Sequence, residues 1–172
     1  SADSDAHDQW IFDSGATCHM SNNKAMFSKV HTLRNPINVT LGDGRSLRAV
    51  GRGNVTLMMK VHDKTKRCTL HDVLLVPDLA YNLLSVTAAC KRGKKTTFSG
   101  SSCEIRDSKS NLVASGRREG SLYYLDQEGW VQHACSSVDC TSADETLWHG
   151  RFGHCMECWL CCSFLCQTDE GT

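Results

Sequence analysis

The chain has no surplus of either charge, no long apolar run and no second copy of its one suggestive motif. Each absence narrows what it can be. Lysine and arginine number 19 and aspartate and glutamate number 19 in 172 residues. A domain built mainly to bind nucleic acid normally carries a basic surplus, so that class is disfavoured. The longest apolar runs, such as Val73-Leu74-Leu75-Val76, fall far short of the roughly 20 residues that a membrane-crossing helix needs, so no membrane partner is expected. The opening residues, Ser1-Ala2-Asp3-Ser4-Asp5, are acidic and hold no apolar stretch. No secretory signal is expected there, and the chain is read as intracellular and not secreted. Internal repeats are also lacking.

Cysteine is plentiful, but a disulfide framework is not what its placement implies. Cys18, Cys68, Cys90, Cys103, Cys135 and Cys140 are scattered, whereas Cys155, Cys158, Cys161, Cys162 and Cys166 crowd into one tail. Without a secretory signal the scattered ones are expected as free thiols, several of them buried.

What is present is a β-rich body. Apolar content of 40% suits a globular core, and the length fits one domain with a small appendage. Gln9–Phe12 is an apolar run that ends at Asp13-Ser14-Gly15. Ile37–Leu41 alternates apolar with polar, Gly42-Asp43-Gly44 is a turn signal, and Ser46–Val50 resumes the extended pattern. Residues 37–50 are therefore the best hairpin candidate. Gly51-Arg52-Gly53 marks a bulge or a bend before Asn54–Val61, and Arg67–Val76 is a further strand stopped by Pro77. Ala80–Arg92 reads either as a strand entering a short helix or as helix throughout, ended by Gly93. Short strands follow at Thr96–Ser99, Cys103–Asp107, Leu112–Ser115 and Ser121–Leu125, at the spacing of a small sandwich or barrel. Composition changes after Leu125. The expected organisation is a leader (1–8), a β-domain (9–126), a polar linker (127–144) and a short helical or irregular tail (145–172).

Asp13-Ser14-Gly15 has an ordinary reading as a turn, since all three residue types favour one. Its context favours chemistry, because Trp10-Ile11-Phe12 delivers the carboxylate from an apolar strand. Aspartic peptidases use two carboxylates close enough to share one proton, because both cannot ionise together at short range. Here Asp-Ser-Gly occurs once and Asp-Thr-Gly does not occur. A dyad from this chain therefore requires a second copy related by a two-fold axis, each giving one Asp13. His19 is read as a loop residue, because a carboxylate dyad needs no imidazole. Cys18 lacks the paired base that a nucleophile needs. The basic clusters Lys91–Lys95 and Gly116-Arg117-Arg118 are read as solvated turns.

Residues 10–125 resemble the retropepsin-like protease region of copia-type retrotransposon Pol polyproteins. The matching pieces, in order, are WIFDSGATCHMS (10–21), VTLGDG (39–44), VGRGNV (50–55), LHDVLLVPDLAYNLLSV (70–86) and GSLYYL (120–125). The resemblance implies an all-β, closed, retropepsin-like barrel with one short helix. It also implies a homodimeric aspartic endopeptidase that cleaves its own Gag-Pol polyprotein, in cytoplasm or in a virus-like particle, without a cofactor. Asp13, Ser14 and Gly15 match the catalytic triplet. The hairpin at Gly42, Asp43 and Gly44 matches the flap that covers substrate. Asn82, Leu83 and Leu84 fall where related proteases carry a hydrophobic pair that supports the active-site loop. Those proteases usually follow the pair with glycine, and here Ser85 stands instead.

A sixth piece, LWHGRFGH (147–154), resembles the start of the pre-integrase module that follows the protease. In that module His149 and His154 would open a His-His-Cys-Cys zinc site, which needs four tetrahedral ligands. The family's cysteine pair comes a few tens of residues later, whereas Cys155 here follows His154 at once. A local zinc set of His149, His154, Cys155 and Cys158 can be drawn, but adjacent His154 and Cys155 converge awkwardly on one ion. A frame break near residue 155 is the favoured account of the tail. Two other functions stay open at this point: a transposon-derived dimeric binding module without activity, and a zinc-dependent nucleic-acid-binding fragment at residues 145–166.

Overall fold

The computed structural model describes residues 8–131. In order, the elements are β1 (Trp10–Asp13), β2 (Met20–Ser21), a 3-10 turn (Lys24–Met26), β3 (Phe27–Thr40), β4 (Ser46–Val61), β5 (Lys64–Leu75), β6 (Asn82–Ser85), α1 (Val86–Lys91), β7 (Lys95–Ser99), β8 (Ser102–Arg106), β9 (Leu112–Glu119), β10 (Leu122–Leu125) and β11 (Gln127–Trp130). The domain is all-β with one short helix, as the turn spacing predicts.

Strand β4 shows why the chain folds this way. Ala49, Gly51, Gly53, Val55, Leu57, Met59 and Val61 are buried, and the residues between them are exposed or half-buried. That period of two puts one face of the strand on the core. The glycines serve close approach, because a Cβ on Gly53 would collide with the Lys29 carbonyl oxygen. The register shifts between Gly53 and Val55, which is the irregularity the Gly-Arg-Gly signal predicts. The β3–β4 hairpin pairs Ile37 with Ala49 and Thr40 with Ser46, as expected. β3 itself starts ten residues before the expected Ile37. Its first half carries exposed Ser28, Lys29 and His31, so no apolar alternation announces it. The ambiguous stretch 80–92 resolves as strand then helix, with Ser85 capping α1 and Gly93 following at a φ of +72°.

The sheet order is β11-β4-β5-β2-β6-β1-β10-β9-β8-β7, with β3 also paired to β4. Among the described residues no ladder joins β7 back to the other end, so the expected closed barrel is an open, curled sheet. The sheet ends at β7 on one side and, on the other, at β3 and β11, which share one edge of β4. The expected boundary at 126 also moves. Gln127–Trp130 is a strand on β4 and not the start of a linker, and polar Gln127 and Glu128 hide it from an apolar pattern. The rest of that linker and the tail lie outside the described residues.

Two apolar clusters form the core. The larger gathers Trp10, Phe12, Leu57, Met59, Leu84, Ile105 and Leu125, among others. The smaller holds Ala16, Met20, Val39, Ala49, Leu74, Val76 and Leu79. Cys18, Cys68, Cys90 and Cys103 are free thiols, but only Cys103 is buried.

Candidate active site at the end of the first strand

Strand β6 lies between β1 and β2, parallel to the first and antiparallel to the second. The loop from Ser14 to His19, which joins β1 to β2, must therefore arch over the C-terminal end of β6. The register puts Asp13 opposite Ser85, the last residue of that strand. β1 is buried on both faces up to Phe12, and Asp13 is the first residue of the run to reach the surface. The strand thus carries a carboxylate from the core to an exposed rim.

The carboxylate folds the loop beneath itself. Asp13 Oδ1 accepts hydrogen bonds from the amides of Gly15 (2.7 Å) and Ala16 (3.2 Å). A Cβ on Gly15 would stand only 3.3 Å from that oxygen, so glycine gives the carboxylate its room. Ser14, Gly15 and Thr17 face solvent, while Ala16 turns inward as part of the smaller core.

Three further bonds tie the loop to the β6–α1 junction. Ser85 Oγ donates to the Ala16 carbonyl oxygen at 2.6 Å and accepts from the Ala88 amide at 3.0 Å. The Ser85 amide donates to His19 Nδ1 at 3.0 Å, which makes Nε2 the protonated nitrogen of the neutral ring. Thr87 Oγ1 reaches the Ser14 carbonyl oxygen at 3.4 Å. His19 and Ser85 are both buried. Burial pushes the His19 imidazole down to about 4; Arg92 and His71 act in the same direction, and Asp72 opposes them.

The other expected support residues fall around this junction. Asn82 is buried; its Oδ1 accepts from the Asn22 amide and its Nδ2 donates to the Gln9 carbonyl oxygen. Leu84 is in the larger core, and Leu83 packs against the smaller one. Leu84 and Leu83 therefore clamp the strand from its two faces.

The hairpin tip is exposed from Gly42 to Ser46. Gly44 has a φ of +83°, a backbone region that glycine enters freely. Asp43 accepts from the Arg45 amide (3.0 Å) and from Arg45 Nε (2.6 Å). Those bonds hold the Asp43 carboxyl below the usual carboxylate range, the amide contributing most. Lower down, Val39 and Ala49 share the smaller core with Ala16, so the roots of the hairpin pack against the inward face of the Asp13 loop. His149, His154, Cys155 and Cys158 lie outside the described residues.

The sequence points to Asp13 and to the Asn82–Leu84 support but not to Ser85 or His19 as partners of the loop. Ser85 stood out only as a departure from glycine, although a serine before Val-Thr-Ala-Ala is a helix N-cap signal. His19 carried no signal beyond its place between Cys18 and the apolar Met20.

Comparisons with known proteins give the class of this all-β domain, which is similar to the β-barrel domain of Pol polyproteins. A family model described as "Pol polyprotein, beta-barrel domain" matches residues 10–94. The chain belongs with the retrovirus-related Pol polyproteins of copia-type transposons. It is 25% identical over 147 residues to the Retrovirus-related Pol polyprotein from transposon RE1 of Arabidopsis thaliana, covering 84% of this chain and 10% of the relative. It is 28% identical over 151 residues to that from transposon TNT 1-94 of Nicotiana tabacum, covering 87% and 11%. Over 78 residues it is 37% identical to a putative transposon Ty5-1 protein of Saccharomyces cerevisiae, covering 45% and 47%. The chain spans about a tenth of the length of the plant relatives it matches. No solved structure matches it.

Proposed function

We propose that the chain is an aspartic endopeptidase, active as a homodimer with one Asp-Ser-Gly per subunit, that processes a Gag-Pol polyprotein. One observation carries the reading. Asp13 stands at the exposed end of a buried strand, with Oδ1 fixed by two amides of its own loop. The two amide bonds are those of an ordinary Asx turn, as at Asp43 and Asp107; what sets Asp13 apart is that its turn follows a buried strand.

A single such carboxylate makes half a site. Paired across a two-fold axis with the Asp13 of a second copy, it forms a dyad that holds one proton between two groups. The ionised member draws a proton from water as the water attacks the scissile carbonyl carbon. The protonated member donates to the carbonyl oxygen, and the proton then reaches the leaving amine. The titration belongs to the pair and not to either residue. The proteolytic step uses no cofactor. The hairpin tip at Gly42-Asp43-Gly44 is assigned the flap role, supported by the packing of its roots on the loop's inner face.

The test is peptide hydrolysis and self-cleavage by the full chain at about pH 5, between the carboxylate and imidazole ranges, with and without pepstatin. Asp13→Asn is expected to be inactive, and equal activity in that variant would sink the mechanism. Sedimentation tests the architecture: a strict monomer that still cleaves cannot be sharing a dyad. A folded dimer with no hydrolysis would instead indicate a binding module.

A further inference from the structure

We infer that Ser85 and His19 are positioning residues for Asp13, forming a buried tie that locks the Asp13 loop only while the His19 imidazole is neutral. This rests on the proteolytic reading above and adds a regulator to that site. Ser85 meets the loop at three points. Its backbone pairs with Asp13 across the parallel ladder, its hydroxyl holds the Ala16 carbonyl, and its amide is received by His19. Ala16 in turn gives its amide to Asp13 Oδ1, so a single residue separates the tie from the carboxylate.

The Ser85 hydroxyl has no slack. It donates its one proton to Ala16 and accepts from Ala88, so the loop and the first turn of α1 share a pivot. His19 is equally committed. Its carbonyl accepts from the Leu74 amide while Nδ1 accepts from Ser85, fixing the residue to β5 and to β6. Protonation of Nδ1 would turn an acceptor into a donor facing a donor, and the bond to Ser85 would be lost.

Burial mainly sets when that happens, and the charged groups around the ring adjust it. Arg92 at the end of α1 and His71 of β5 resist a second positive charge, and Asp72 of β5 favours it, though it is already paired with Arg92 at 2.6 Å. Lys94, before β7, lines the same small apolar cavity of about 70 Å³ as His19, His71 and Arg92. Burial is the main cause that keeps the ring neutral down to about pH 4, with Arg92 and His71 adding to it and Asp72 opposing. The tie is therefore whole above about pH 4, and it opens below that.

The test has a structural arm and a kinetic arm. The structural arm uses full-length Asp13→Asn, which cannot digest itself, and follows the histidine ring nitrogens and the Ser85 amide by NMR. The expected result is the Nε2–H tautomer at neutral pH, a midpoint near 4, and a Ser85 amide shift with the same midpoint. A His19 ring that titrates in the ordinary range near 6.5, or a Ser85 amide that does not follow it, overturns the inference.

In the kinetic arm, Ser85→Ala should lower kcat about ten- to a hundredfold with KM within about twofold, the mark of a displaced reacting group. Ser85→Cys, of similar size with a weaker donor, should fall between. His19→Asn sets an amide oxygen where Nδ1 stands and cannot titrate, so it should move the acid limb of kcat to lower pH, whereas His19→Leu should lower kcat at every pH. Ser85→Ala with unchanged kcat, or a His19→Asn profile that superimposes on the wild type, overturns the inference. Failure of the proteolytic reading looks different: the wild type and Asp13→Asn would be equally inert or equally active, and the NMR midpoints would still decide the tie.

Discussion

The loop from Ser14 to His19 and the hairpin tip from Leu41 to Arg45 are both solvent-facing turns between strands, yet they are anchored differently. The first is stitched to another part of the chain by the buried side chains of Ser85 and His19, more than sixty residues apart in sequence. The second holds itself by bonds that span only two to four residues: Gly44 N to Leu41 O, Leu41 N to Arg45 O, and Arg45 to Asp43. Buried bonds are strong because the alternative is an unsatisfied polar group in a low dielectric, whereas exposed ones trade evenly with water. Under the proposed reading, a carboxylate that must meet its partner needs the first kind of anchoring, and a cover over a cleft suits the second.

The largest effect that would break this comparison is at Asp13. Asp13→Asn is expected to lower kcat/KM for peptide hydrolysis by at least about 1,000-fold, since it removes a group that transfers protons in the transition state. Asp43→Asn at the hairpin tip is expected to leave kcat/KM within about threefold, because its ion pair with Arg45 is exposed. Steady-state kinetics on both variants checks this, and similar losses would erase the distinction between the two loops.

Next comes the pH dependence of stability. In the fold His19 holds its proton only below about 4, against 6.5 in a free chain. As pH falls from 6.5, the unfolded chain takes up the proton first, so unfolding gains and stability drops. The loss runs between about 6.5 and 4, and is then complete. The shift corresponds to about 3 kcal/mol. Urea unfolding at several pH values in that window, wild type against His19→Asn, should show the variant losing about 3 kcal/mol less across the window, with a shallower slope. Parallel slopes would mean that His19 is not buried neutral.

How far the sequence foretold these two regions depends on the range of the interactions. The hairpin was legible because its causes are local: alternating Ile37-Asn38-Val39-Thr40-Leu41 and a turn of Gly-Asp-Gly. Asp13 was legible for the same reason, standing directly after an apolar run. The tie beneath it was not, because Ser85 and His19 meet only through a strand order in which β6 enters between β1 and β2. The open sheet was hidden too. One end of the sheet is set by β3 and β11 sharing an edge of β4, and β11 is too polar to announce itself.

Smaller effects separate the two exposed glycines of these turns. Gly15→Ala puts a methyl 3.3 Å from Asp13 Oδ1, in a loop whose buried anchors cannot yield. The carboxylate must give way by a few tenths of an ångström, and kcat is expected to fall about tenfold with little change in unfolding. Gly44→Ala meets nothing within 4 Å but forces a side chain to a φ of +83°. Its cost is conformational and about 1 kcal/mol, confined to the tip. A tip that can shift will relieve that strain locally, so chemical shifts of residues 41–46 should move while kcat stays within about twofold. If Gly44→Ala instead lowered kcat as much as Gly15→Ala, the tip would be holding the reacting groups and not covering them. The assignment of one loop to geometry and the other to closure would then fail.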